Sequence, residues 1–164
     1  MRTGFGQATP TSFPQNPGAA AAPAARDIPY DYVARFTLTG RRGNRVEDVL
    51  NISVEGRFIA ASIGYSFIPV TSRSLPAAER VIDFKYSIVD SATGRELQNR
   101  PIHNIAGLGD AAGERPFRAL AKPMVFMPRS TIRFEIEEIS EGTLYENAEL
   151  FIVLHGYKVL GAES

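Results

Sequence analysis

The run Val81-Ile82-Asp83-Phe84-Lys85-Tyr86-Ser87-Ile88-Val89 alternates apolar and polar side chains from Ile82 to Ile88. Successive side chains leave a pleated backbone on opposite sides, so alternation at period two marks a strand with one buried face. Ile82, Phe84, Tyr86 and Ile88 therefore point into a core, and Asp83, Lys85 and Ser87 point outward. Ser91-Ala92-Thr93-Gly94 turns the chain back toward Glu96–Ile102, which makes a hairpin.

The same pattern repeats on both sides. Tyr32, Ala34, Phe36 and Leu38 share a face, and the loop Gly40-Arg41-Arg42-Gly43-Asn44 ends that run. Leu50, Ile52 and Val54 alternate with Val49, Asn51 and Ser53, and Glu55-Gly56 offers a tight turn into Arg57–Tyr65. Residues His103–Pro116 read as a long loop, followed by a strand over Phe117–Phe126 marked off by Pro123 and Pro128. Ile132, Phe134 and Ile136 alternate with Arg133, Glu135 and Glu137. After a loop at Ser140–Asn147, Leu150–Leu160 is apolar on both faces, as in a strand at a sheet's centre or under a partner. Only Leu75–Arg80 has the composition for a helical turn. About eight strands with regular turn signals predict an all-β, antiparallel sandwich that is jelly-roll-like, with a small barrel as the other closed solution.

The first 26 residues differ from this body. They hold four Pro, three Gly and seven Ala, and only Arg2 and Arg26 are charged. Ordering a backbone costs about 1–2 kcal/mol per residue, and Phe5 and Phe13 are too few to offset it. Met1–Arg26 is therefore expected to be an extended arm that orders only against another surface, with Phe5 and Phe13 as its anchors, and residues 27–164 to form the sandwich. The arm is too polar and Pro-broken for a signal peptide, and Ala19–Ala25, interrupted by Pro23, is far short of a membrane span.

Composition excludes several chemistries. The 164 residues include no Cys and no Trp, with 18 Lys+Arg against 18 Asp+Glu. Without Cys there are no disulfides, thiolate nucleophiles or thiolate zinc sites. His103 and His155 each lack a second His nearby, so no metal or other cofactor is expected. His155 is better read as a partly buried strand residue bonded to a carbonyl or carboxylate, with Gly156 permitting a bulge or close packing. Gly107–Gly113 lacks the strand and helix of a phosphate loop, and no Gly-x-Ser-x-Gly elbow supports hydrolysis. Glu135, Glu137, Glu138, Glu141, Glu146 and Glu149 crowd together, but a glycosidase cleft without Trp platforms is a poorer reading than a solvated face. No enzyme activity is expected.

Split by region, residues 1–134 hold 17 bases and 11 acids, a net +6, while 135–164 hold one base and seven acids, a net −6. Opposed patches of this kind suit head-to-tail packing of identical subunits, with Arg41, Arg42 and Arg45 meeting Glu135, Glu137 and Glu141 of the next copy. Three loop arginines without interleaved aromatics are a weak nucleic-acid signal. The residues Pro128–Ile136, a polar hairpin and Leu150–Lys158 together resemble the closing strands of small β-sandwich virion proteins of tailed bacteriophages. That resemblance implies a non-enzymatic, multimeric virion subunit, a capsid decoration or a neck or tail accessory, assembled in the host cytoplasm. Its partners would be copies of itself and other virion proteins such as the major capsid protein. A carbohydrate-binding sandwich used for attachment is the other class, with Tyr65, Phe117 and Tyr145 as candidate contacts.

Overall fold

The computed structural model describes residues 25–69, 82–109, 116–140 and 147–161. Residues 1–24 of the arm, with Phe5 and Phe13, the segment Leu75–Arg80, and Glu141 and Tyr145 lie outside them, while Arg26, expected at the end of the arm, opens the first strand of the sandwich. The described residues form nine strands: β1 (Arg26–Leu38), β2 (Arg45–Asn51), β3 (Gly56–Pro69), β4 (Phe84–Asp90), β5 (Arg95–Glu96), β6 (Ile102–His103), β7 (Phe117–Phe126), β8 (Thr131–Glu138) and β9 (Ala148–Leu160). One short helix, α1 (Asn104–Gly107), follows β6.

Two antiparallel sheets face each other. The first has the order β1-β9-β3-β7, and the second β2-β8-β4-β5, with β6 also paired to β4. The chain passes from one sheet to the other at each of the first three connections, which is the strand order of a jelly roll. Strand β9 lies between β1 and β3, so both its edges are paired, as expected of a strand at a sheet's centre; one face is buried against the other sheet and the outer face is half-buried.

Alternation decides which side chains fill the space between the sheets. Tyr32, Ala34, Phe36 and Leu38 meet Ile82, Phe84, Tyr86, Ile88, Ile132, Phe134 and Ile136 in one buried cluster. Aromatic rings fill its middle in the absence of Trp: Tyr32 meets Phe58 edge-on at 4.8 Å, and Tyr65 meets Phe84 at 5.4 Å. Fully burying one such side chain contributes about 1.5–3 kcal/mol.

Several boundaries differ from the alternation pattern. Strand β2 ends at Asn51, because the chain leaves the sheet to form the turn at Val54–Glu55, and Val54 is exposed. Pro123 lies inside β7 rather than ending it. Met124 pairs with Ala60 and Ala119 with Ser62, so Leu120–Pro123 bulge away from the ladder and the missing Pro N–H costs no bond. Glu96–Ile102 is not one strand: β5 and β6 pair separately with the two ends of β4. The long loop begins with β6 and α1. Its Asn104 is fully buried and bridges three partners, donating to the Ile82 carbonyl (2.9 Å) and the Tyr65 hydroxyl (3.2 Å) and accepting from the Phe84 N–H (3.2 Å).

Candidate functional site

Of the residues singled out by charge, Arg45, Glu135 and Glu137 come together on the outer face of the second sheet. In register, Arg45, Glu137 and Lys85 form one row across β2, β8 and β4, and Glu47, Glu135 and Ser87 form the next. Glu135 and Glu137 share a face opposite Phe134 and Ile136, as their spacing requires. With Pro101 beside them, the two rows line a shallow concavity of about 330 Å³.

Opposite charges pair across and along the strands here. Arg45 pairs with Glu137 at 3.0 Å, Arg133 with Glu135 at 3.1 Å, and Arg35 with Glu149 on the other sheet. Antiparallel pairing places acidic β8 between β2 and β4, so among the described residues Arg45 and Lys85 interleave with Glu135 and Glu137 on one surface. Glu135 and Glu137, each beside an arginine, have the environment of a solvated mixed-charge surface.

Glu138, the next residue, faces inward. Its fully buried carboxylate accepts from the Thr39 N–H (2.8 Å), the Gly40 N–H (2.8 Å) and the Asn44 side-chain amide (2.7 Å). These bonds hold the loop carrying exposed Arg41 and Arg42 beside the charged rows. Gly40 and Gly43 take φ values of 72° and 85° there, which only glycine adopts readily. Asp48 also points inward from edge strand β2 and accepts the Arg35 N–H of edge strand β1 at 2.9 Å, joining the two sheets at that edge.

The outer face of the first sheet is different. Its polar centre is His155, whose Nδ1 lies 2.5 Å from Asp31 Oδ1, and the ring of Phe117 stands edge-on to the imidazole at 3.9 Å. Ser62 is opposite His155 in register, yet the buried Nε2 has no hydrogen-bond partner, so the three residues do not make a proton relay. Gly156 does permit close packing: a Cβ there would run into the backbone of Ile59 and Ala60. Phe117 covers Gly64, the cross-strand partner whose missing side chain leaves room for the ring.

Of the three aromatic residues offered as glycan contacts, Phe117 is 43% exposed. Tyr65 is not available. It is 9% exposed, faces the core and has its hydroxyl bonded to Asn104. At one end of the sandwich Lys158 is buried with its Nζ 3.7 Å from the Tyr30 ring centroid and 3.7 Å from Glu55. Burial raises the Tyr86 phenol pKa above 10.0, with the charge of Arg118 pulling weakly the other way.

Sequence reasoning missed Asn104, Glu138 and Lys158 as buried polar groups and Asp48 as a half-buried one that faces the other sheet. Parity was the available signal for three of them: Asp48 lies in phase with Leu50, Glu138 with Ile136, and Lys158 with Leu154.

No family model and no curated protein matches the chain. Among solved structures it is weakly similar to a chain of the acid-stable capsid of Helicobacter pylori bacteriophage KHP30, at 12% identity and a TM-score of 0.38, covering 86% of this chain and all of that one. A chain of Desmodium yellow mottle tymovirus matches at 11% identity and a TM-score of 0.25, covering 100% of this chain and 98% of that one. Likeness at these scores carries no argument about function.

Proposed function

We propose that this protein is a non-enzymatic structural subunit of a virion, a capsid decoration or a neck or tail accessory, with the arm Met1–Arg26 docking on neighbouring subunits. The observation that carries this reading is the exposed apolar outer face of the first sheet, where Val33, Phe117 and Val125 are 46%, 43% and 50% exposed. Apolar residues gathered on one flat face of a sheet are the mark of a protein contact. The buried polar groups agree with it: Glu138, Asn104 and Asp90 each bond to backbone N–H groups and hold loops or turns in place. The jelly-roll strand order is one that viral capsid domains use, although lectins use it too.

The test is mass spectrometry and cryo-microscopy of purified particles from the virus that encodes the chain. The reading requires the protein at many symmetric copies per particle, and its absence from particles would overturn the reading. Deleting residues 1–25 should abolish incorporation while leaving the far-UV spectrum of the body unchanged.

A further inference from the structure

Three rows cross the outer face of the first sheet. Pro29, Tyr157, Ile59 and Val125 are in register in one, Val33, Val153, Gly64 and Phe117 in another, and Asp31, His155, Ser62 and Ala119 in the row between them. Resting on the reading of this chain as an assembly subunit, we propose that this face is the contact between two copies of the chain, packed face to face about a two-fold axis along the middle row.

The first ground is self-complementarity. A two-fold rotation about an axis running across the strands keeps strand order and reverses strand direction. The row containing Val33 in one copy then lands on the row containing Pro29 in the other. Val33 meets Pro29, Val153 meets Tyr157, Gly64 faces Ile59, and Phe117 meets Val125. Apolar meets apolar on all four strands, and one patch serves as its own complement, which is the requirement of a closed dimer.

The second ground is charge. His155 Nδ1 lies 2.5 Å from Asp31 Oδ1 and Arg35 is ion-paired with Glu149, so Asp31 keeps a hydrogen-bond partner and Arg35 its counter-charge when the face is covered. Burying an unpaired charge is the usual obstacle to such a contact, and these pairs avoid it. The other sheet presents a surface of mixed charges around a concavity and would lose the solvation of both signs.

The third ground is size. Four strands about 4.8 Å apart and about 40 Å long give a face of roughly 800 Å², which matches the area each partner contributes to a standard interface. Sheets stack about 10 Å apart with strand directions within about 30° of each other, which is the geometry this face would adopt against a second copy.

The chain has no Cys, so single introduced thiols report on the contact directly. Ala119→Cys places a thiol on the axial row, and Ser87→Cys places one on the outer face of the other sheet as a control. In the full chain, a bis-maleimide spanning about 10 Å, the sheet-stacking distance, should link Ala119→Cys into dimers and leave Ser87→Cys monomeric. The double variant Val33→Lys/Val153→Lys should keep its far-UV spectrum and dissociate ~100-fold more readily by sedimentation, because each ammonium would be buried unpaired. A monomeric wild type, as expected if the chain's own arm covers the face, overturns the proposal, as does equal cross-linking at both positions or a lysine variant that still dimerises. Failure here with the protein present in particles leaves the subunit reading standing; dimerisation through this face with the protein absent from particles removes that reading and keeps the contact.

Discussion

Replacing Glu138 by Ala should destabilise the fold far more than replacing Glu137, its neighbour on the same strand. Glu138 is fully buried and accepts two backbone N–H groups and one side-chain amide from the loop between β1 and β2. Each donor left without an acceptor costs about 1–3 kcal/mol, and water entering the vacated space recovers part of it, so a net loss of about 4 kcal/mol is expected. Against a total stability of about 5–15 kcal/mol, that is a large fraction. With a urea slope of about 2 kcal/mol per molar, the midpoint should fall by about 2 M. Glu137 pairs with Arg45, whose side chain is 77% exposed, and an exposed pair of that kind is worth about 0–1 kcal/mol. Glu138→Gln keeps one acceptor oxygen and should fall between the two. Urea unfolding followed by far-UV circular dichroism measures all three. Equal losses at the two positions, or a loss below about 1 kcal/mol for Glu138→Ala, would refute the anchoring role given to this carboxylate.

Gly156→Ala should lower stability by more than about 3 kcal/mol, because the added carbon meets backbone atoms of β3 that no side-chain rotation can move, whereas Gly94→Ala meets only open space and pays for its φ of 63° alone; thermal unfolding of the two variants compares them. Tyr86 should titrate above pH 10.0 in an ultraviolet difference titration, and Tyr86→Phe should remove that step. The folded chain holds this proton more tightly than the unfolded chain, so the stability linked to it is complete below pH 10.0 and falls as pH rises from there toward the raised value. Stability that rises with pH in that window would contradict the burial.

Strand identity was legible wherever one face is buried against the other sheet. The alternation of Tyr32 to Leu38, of Ile82 to Ile88 and of Ile132 to Ile136 translates directly into the inner layer. Two-sided apolar β9 correctly announced a central strand. Where a bulge interrupts the pairing, the bounds Phe117–Phe126 held but the role given to Pro123 did not. Pro123 looked like a boundary because a ladder cannot use it, and the break in pairing between β3 and β7 removes that objection. The charged site was legible as a set of residues but not as an arrangement. Arg45 and Glu137 are separated by most of the chain, and only the pairing of β2 with β8 makes them neighbours. Glu138 was read with the surface acids because composition counts charges, whereas the facing of each residue along β8 decides which of them stays in water.

Strand β1 is paired with β9 at every residue from Arg26 to Leu38, and β9 is paired along its whole length with β3 on its other side. Tension applied at Arg26 along the strand would load all of those bonds in shear at once, instead of peeling them one at a time. Any pull arriving from the N-terminal side is thereby passed through β9 into the body of the sheet, so a load at Arg26 is shared by the whole β1–β9 ladder.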